Sequence, residues 1–294
     1  MTHFKAFNDS PYFKMVGISD IDKINRNEIQ KKFNIPCYED FKELLENISA
    51  EVIVVATPEN THSSILREIL NFNPKLVFCE KPLATTLGEV KALAKAYEKI
   101  NTALIINYNR HFLKEYCQIK QSLLAGELGT IQSVLFYYSR GFLRNASHNL
   151  DLVLWWFGEP DDFIIEGQRK GITENDPTLS LLLKYSSGTE IRLVGLESSN
   201  VLINEVDIIG TNGRIQIDTM GRIVFSKVDK HPNYNMFKGY FKGKEKKIDL
   251  SIALPNAVNT IYQWLMGEAK LPTPARDSIA LHKLIQKIIG RFRD

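Results

Sequence analysis

The sequence predicts an α/β chain of two domains, a doubly wound parallel sheet followed by an α+β domain with a largely antiparallel open sheet. Three observations carry that expectation. Over the first 110 residues short β-branched runs alternate with helical stretches. Beyond them, strands follow one another through glycine-containing turns. The 294 residues also suffice for two ordinary cores. The division falls at residue 110, giving domains 1–110 and 111–294.

The elements of the first domain follow from period and punctuation. Lys14–Ser19 reads as a strand, Asn27–Phe33 as a short helix and Tyr38–Asn47 as another. Glu51–Ala56 is a buried strand by its Val-Ile-Val-Val centre, and a helix follows around Ser63–Asn71. Leu76–Cys79 reads as a strand, Leu87–Lys99 as a helix and Ala103–Asn107 as a strand. Near-continuous apolar strands separated by helices indicate a parallel sheet covered on both faces, with right-handed crossovers.

After Arg110 the pattern changes. Helix Phe112–Ala125 ends at Gly126, and Glu127-Leu128-Gly129 turns into strand Ile131–Tyr138. Beyond helix His148–Phe157 lie strands Phe163–Arg169, Thr178–Tyr185, Thr189–Leu196, Asn204–Ile209, Arg214–Ile217 and Ile223–Lys227. Ser187-Gly188, Asn212-Gly213 and Met220-Gly221 join several of them, as antiparallel hairpins require. The basic, aromatic stretch Lys238–Lys247 reads as an exposed loop or hairpin tip, and helices Ala257–Met266 and Ser278–Arg291 follow.

Composition excludes several classes. Hydrophobic residues make up 44% and charged residues 24%, which are ordinary globular values. A net charge of +3 is too small and dispersed for nucleic acid to be the main partner. Cys37, Cys79 and Cys117 share no metal-type spacing and form no even disulfide set, so a reducing cytoplasmic setting without a bound metal is expected. Met1–Ser10 lacks the apolar run of a signal peptide, and no stretch of about 18 apolar residues predicts a membrane span.

In open parallel sheets ligands bind outside the carboxyl ends of the strands. The first-domain strands here end at Asp20, at Thr57-Pro58, at Glu80-Lys81-Pro82 and at Asn107-Tyr108-Asn109-Arg110. Polar and charged groups therefore gather repeatedly on one edge. Asp20 stands where a dinucleotide fold places the acid that accepts from the adenosine ribose. By the same rule a glycine-rich phosphate turn belongs about 20 residues earlier, at or before Met1. Gly17 is the only glycine before Gly88, so no G-x-G-x-x-G occurs, and Thr2–Phe7 reads as the back half of the helix after such a turn. The first domain is thus expected to be an N-terminally truncated Rossmann-type sheet without its central first strand. Three arrangements stay open: a coding region that begins further upstream, a sheet closed up differently, or another segment in the gap.

Lys81 set against a cofactor can hold a substrate hydroxyl and relay its proton, since lysine titration responds readily to burial. Pro82 fixes the backbone beside it, with a cis bond open to it. His148 follows Ser147, a plausible N-cap, which would place the imidazole in a first helical turn where the helix terminus keeps it neutral enough to act as a base. Asp151, three residues on, is placed to orient it.

At these residues the chain resembles the Gfo/Idh/MocA family of NAD(P)-dependent oxidoreductases. The matching pieces are Val54-Val55-Ala56-Thr57-Pro58 with His62, Cys79-Glu80-Lys81-Pro82, the Asn107–Phe112 stretch, Ser147-His148 with Asp151, Trp155 and Gly158, and Gly210-Thr211-Asn212-Gly213. The likeness runs from His3 nearly to the end. It implies a Rossmann domain followed by an α/β substrate domain whose open sheet packs against a second subunit, giving a homodimer or homotetramer. It also implies that Lys81 and His148 flank the reacting hydroxyl, with the Thr57–His62 turn near the cofactor. Two departures stand out: the glycine turn is missing, and Arg144 stands where many members carry an aspartate four residues before the histidine. An arginine there suits an anionic or carboxylated substrate.

The resulting expectation is hydride transfer between a secondary hydroxyl of a sugar, nucleotide sugar or inositol-like polyol and NAD or NADP. Lys81 and His148 are the catalytic candidates. Asp20, Thr57, Pro58, Asn60, His62, Glu80, Lys81 and Asn107 are the cofactor-binding candidates, and Arg110, Arg144 and Asp151 the substrate-binding ones. Asp20 favours NAD, because a 2′-phosphate would sit against its charge. The alternatives are a degenerate sugar-binding or partner subunit without turnover, and NAD-assisted glycoside cleavage.

Overall fold

The computed structural model describes residues 2–197 and 201–293. It divides into two compact units. The first contains the chain through Phe112 together with Ser251–His282, and the second contains Leu113–Leu250 and the chain from Lys283 onward. A linear cut at residue 110 therefore omits a return: residues 251–282 belong with the first unit, not the second.

The first unit holds two parallel sheets. Strand β1 (Ile18–Ser19) pairs with β2 (Cys37–Tyr38), and β3 (Val52–Val55), β4 (Leu76–Cys79) and β5 (Ala103–Ile106) form a separate sheet in that order. Helices α1 (His3–Asn8), α2 (Lys23–Phe33), α3 (Phe41–Asn47), α4 (His62–Ile69) and α5 (Leu87–Lys99) connect or flank them. Central β4 is wholly buried, with Leu76, Val77, Phe78 and Cys79 all at 0% exposure, as a strand covered on both faces must be. Leu76 and Phe78 share a core cluster with Ala6 and Phe7 of α1. Ile105, Phe112 and, from helix α8 (Ala253–Leu265), Ala257, Val258 and Ile261 complete that cluster.

The return segment also closes a sheet edge. Ile106 N–H donates to Thr273 O, Ala275 N–H donates to Leu104 O, and the Thr273 hydroxyl donates to Ile106 O. Residues 273–275 thus satisfy backbone groups on the outer side of β5 that would otherwise be buried and unpaired.

On the opposite side the sheet has not closed up. Among the described residues β1 pairs only with β2, and β3 only with β4. The expected strand Lys14–Ser19 shrinks to Ile18–Ser19, because only those residues find a ladder partner, in Cys37 and Tyr38. The two sheets are not hydrogen-bonded to each other among the described residues.

The second unit is built on one eight-stranded sheet. Its strands are β6 (Ile131–Ser139), β7 (Asp162–Arg169), β8 (Thr178–Lys184), β9 (Glu190–Leu196), β10 (Asn204–Gly210), β11 (Gly213–Ile217), β12 (Arg222–His231) and β13 (Tyr234–Lys247). They lie in the order β13-β12-β11-β10-β6-β9-β8-β7, antiparallel except for the parallel β6–β9 pair. Helices α6 (Lys114–Leu124) and α7 (Ser147–Phe157) pack together, and Trp156 lies against Tyr116 and Phe136. The basic stretch Lys238–Lys247, expected as a loop or hairpin tip, is instead the body of edge strand β13. Strand β12 extends to His231 and supplies the ladder that the local sequence could not announce. Helix α9 (Asp277–Arg293) starts in the first unit and ends in the second. None of the helices is long and apolar enough to cross a membrane among the described residues.

Candidate functional site

The carboxyl ends of β1, β3, β4 and β5 carry Asp20, the Thr57–His62 turn, Glu80-Lys81 and Asn107–Arg110, all within the first unit, whereas Arg144, His148 and Asp151 lie in the second. Asp20 ends β1 half-buried. Its Oδ1 accepts from Asp22 N–H at 2.8 Å and its Oδ2 from Asn25 Nδ2 at 3.2 Å. A carboxylate has about four lone-pair positions, so these bonds orient Asp20 without exhausting it.

After β3 the chain makes a tight turn. Thr57, Pro58 and Asn60 are exposed on it, and the Thr61 hydroxyl lies 2.8 Å from Thr57 Oγ1 and 2.7 Å from Pro58 O. His62 behaves differently from its neighbours. It is 1% exposed, with Nε2 2.9 Å from Thr57 O and Nδ1 2.7 Å from Pro82 O. With both ring nitrogens on backbone oxygens, His62 supports the turn from within and does not present itself to a ligand. It was expected at the cofactor; its place is behind the residues that would meet one.

Glu80 follows β4 and is the electrostatic centre of this edge. Its Oε1 faces His3 Nε2 at 2.5 Å and accepts from Asn107 Nδ2 at 2.8 Å, while its Oε2 accepts from Lys81 N–H at 3.2 Å. Burial alone would raise the Glu80 carboxyl. The bonds from His3, Asn107 and the Lys81 backbone outweigh it and hold the group below its ordinary value. Lys81 is half-buried, and the peptide it forms with Pro82 is cis.

Beyond β5, Asn107 is 7% exposed and a short 3-10 turn spans Asn109–Phe112. Several buried polar atoms here have no hydrogen-bond partner: His3 Nδ1, Asn107 Oδ1, Asn109 Oδ1 and Arg110 Nε. Buried polar atoms are normally paired, because leaving one unmade costs about 1–3 kcal/mol. His3 and Asn107 both contact Glu80, and the unmet His3 Nδ1 and Asn107 Oδ1 beside it fit a polar group such as the amide-bearing half of a nicotinamide dinucleotide. The pyrophosphate half has no glycine turn to receive it within this sequence.

In the second unit His148 is half-buried on α7, one residue in from the helix start. The expected N-cap at Ser147 is not there. A π-turn, Phe142–Ala146, runs directly into α7, and Ser147 is already helical. The free N–H groups belong instead to the start of the π-turn, where Asp176 takes them: Oδ1 accepts from Leu143 N–H at 2.7 Å and Oδ2 from Arg144 N–H at 3.1 Å. The argument that an uncapped helix terminus acts on His148 therefore fails, since the histidine lies a turn further in and a carboxylate already faces the terminus. Arg144 is exposed and Asp151 half-buried. Gly141 opens the π-turn with φ of +100°, and an added Cβ would stand 2.3 Å from Asp176 Oδ2.

Sequence reasoning missed His3 and Asp176. His3 gave no local signal beyond its place in a short helix, and Asp176 sits in a polar stretch that reads as an ordinary loop. No cluster of three or more metal-ligating side chains occurs among the described residues.

Residues 1–108 match a protein family described as an oxidoreductase family with an NAD-binding Rossmann fold, Gfo/Idh/MocA. The chain is similar to inositol 2-dehydrogenase of Salmonella paratyphi B, 32% identical over 248 residues that cover 74% of this chain and 70% of that protein. It is also similar to myo-inositol 2-dehydrogenase of Thermotoga maritima, 24% identical over 232 residues, covering 70% and 68%. Among solved structures, a dehydrogenase from Chromobacterium violaceum superposes with a TM-score of 0.81 at 14% identity, over 98% of this chain and 90% of that one, a likeness of fold.

Proposed function

Because this chain belongs to the Gfo/Idh/MocA oxidoreductase family, we propose that it transfers a hydride between a secondary hydroxyl of an inositol-like or sugar-like polyol and a nicotinamide dinucleotide. The observation that carries the proposal is the pair of unpartnered buried polar atoms on His3 and Asn107, the two side chains that contact Glu80, at the edge where open parallel sheets bind ligands. The names of the two inositol dehydrogenase relatives support the polyol class.

Thr57, Pro58, Asn60, Glu80, Lys81 and Asn107 would hold the dinucleotide, with Asp20 at its ribose. When bound, the nicotinamide supplies the hydride acceptor. The Lys81 amine would hold the substrate hydroxyl and lower the cost of its deprotonation, an ammonium being a compact donor. The His148 imidazole would accept the hydroxyl proton during oxidation and return it during reduction. Arg110, Arg144 and Asp151 would contact the remaining substrate groups. The Asp20 carboxylate favours NAD over NADP by repelling a 2′-phosphate.

The test is NADH formation on a panel of inositols and sugars with the parent chain, Lys81→Ala and His148→Ala. Loss of turnover in both variants, with folding retained, supports the assignment. Full activity in either removes that residue from the mechanism.

A second reading has one observation in its favour. Among the described residues β1 and β3 are not paired with each other, and no G-x-G-x-x-G occurs in the sequence, so the fold also suits a polyol-binding subunit without turnover. Calorimetry separates the two readings, since only the enzyme takes up NAD.

A further inference from the structure

Three of the six histidines converge on alternate residues of one short segment. His3 Nε2 faces Glu80 Oε1 at 2.5 Å, His62 Nδ1 faces Pro82 O at 2.7 Å, and His282 Nε2 faces Ala84 O at 3.1 Å. They come from α1, α4 and α9, and all lie in the first unit. His62 and His282 are 1% and 8% exposed. Each also engages a second carbonyl, Thr57 O at 2.9 Å for His62 and Ser278 O at 2.8 Å for His282.

The backbone explains why partners are needed there. Asn107 N–H donates to Cys79 O and Glu80 N–H donates to Val55 O, and there the ladder between neighbouring strands ends. The carbonyls of Pro82 and Ala84 lie beyond it. A buried aromatic ring bearing two nitrogens is costly unless both are used, so an apolar side chain would pack more cheaply at either position. What an apolar side chain cannot do is fix a carbonyl in place. Between the anchored Glu80 and Pro82 stands Lys81.

We propose that His3, His62 and His282 form a clamp on the Glu80–Ala84 turn that sets the position of the Lys81 amine, making them positioning residues for the reaction. The inference rests on the reading of Lys81 given above, because it is the chemistry of that amine that the clamp serves. A lysine side chain has four rotatable carbons, and its reach is only as well defined as the backbone that carries it. A displacement of about 1 Å at a reacting group can cost on the order of a hundredfold in rate.

The two ring nitrogens allow a paired test. Each ring faces a carbonyl oxygen at both nitrogens and, when neutral, carries one N–H, so the clamp requires the tautomer protonated at Nδ1 of His62 and at Nε2 of His282. An asparagine amide reaches where Nδ1 stood, and a glutamine amide where Nε2 stood. His62→Asn therefore keeps the bond to Pro82 O and His62→Gln loses it. At the other position the preference inverts: His282→Gln keeps the bond to Ala84 O and His282→Asn loses it.

With myo-inositol and NAD, kcat is expected to be higher for His62→Asn than for His62→Gln, and for His282→Gln than for His282→Asn. Each ratio should reach about tenfold or more, with KM within about threefold inside each pair. An independent readout is the titration of the Lys81 amine, followed by NMR in a chain carrying 13C-labelled lysine and assigned by its loss in Lys81→Arg. The two clamp-breaking variants should shift the Lys81 midpoint further from that of the parent than the two clamp-keeping ones. General damage to folding cannot invert the order of asparagine and glutamine between the two positions. The same order at both, in the titration, overturns the clamp. A parent chain that oxidises no polyol sinks the oxidoreductase reading alone, and the Lys81 titration still decides the clamp.

Discussion

His3 and Glu80, 77 residues apart in the chain, meet through a 2.5 Å contact between His3 Nε2 and Glu80 Oε1. That contact and the Asn107 bond hold the Glu80 carboxyl below its ordinary value of 4.5 despite its burial. A carboxyl lowered in the folded state contributes stability that is fully present above its unfolded value and is lost as pH falls through the folded one. Urea unfolding of the parent and of Glu80→Gln should therefore differ most at about pH 7, and the difference should shrink as pH falls below the carboxyl's ordinary value of 4.5. A difference that stays constant across that range would show that the ionised form is not what the contact stabilises.

His62 joins the carboxyl ends of β3 and β4 from an almost fully buried position. Replacing it with alanine takes the ring N–H from a buried carbonyl and opens a void. Each unpaired buried group costs about 1–3 kcal/mol, so His62→Ala should unfold at clearly lower urea or temperature than the parent. Unchanged stability would mean that water replaces the ring at no cost.

Lys81 and His148 are expected to matter through chemistry, not packing. Lys81→Ala and His148→Ala should each lower kcat by about a hundredfold to ten-thousandfold while melting close to the parent. Lys81→Arg should not restore turnover, because a planar guanidinium presents its donors in a different shape and at a different reach from a compact ammonium. Restoration by arginine would reduce the role of Lys81 to a positive charge.

Gly141 opens the π-turn that delivers His148, with a positive φ and no room beside Asp176. Gly141→Ala combines backbone strain with a collision, and should destabilise the chain by more than about 1 kcal/mol. Asp176→Ala, which frees the Leu143 and Arg144 N–H groups, should lower kcat through His148 more than it lowers stability. Chemical unfolding and steady-state kinetics on the same samples separate the two effects.

Most strands and helices of both units were legible because the signals that define them are local. The Val-Ile-Val-Val run of β3 and the apolar β4 announce buried strands, and Thr86 before α5 marks a helix start whose hydroxyl accepts from Glu89 N–H. The errors cluster where a distant partner decides. Lys14–Val16 has strand-like residues but no neighbouring strand to pair with, whereas Lys238–Lys247 has loop-like charge and pairs with β12. Ser147 has the residue type of an N-cap, yet the π-turn before it continues the helix.

The sequence alone determined the order of the elements, the polar residues at the strand ends and the Glu80-Lys81-Pro82 and Ser147-His148 segments, since periodicity and turn chemistry act over a few residues. Only the tertiary structure decided that residues 251–282 rejoin the first unit and that β1 and β3 do not pair with each other among the described residues. It alone set His3 on Glu80 and His282 on Ala84, the latter pair 198 residues apart. The reason is physical: a hydrogen bond between remote residues leaves no periodic trace in either stretch, and exists only once the packing of other elements has brought them together.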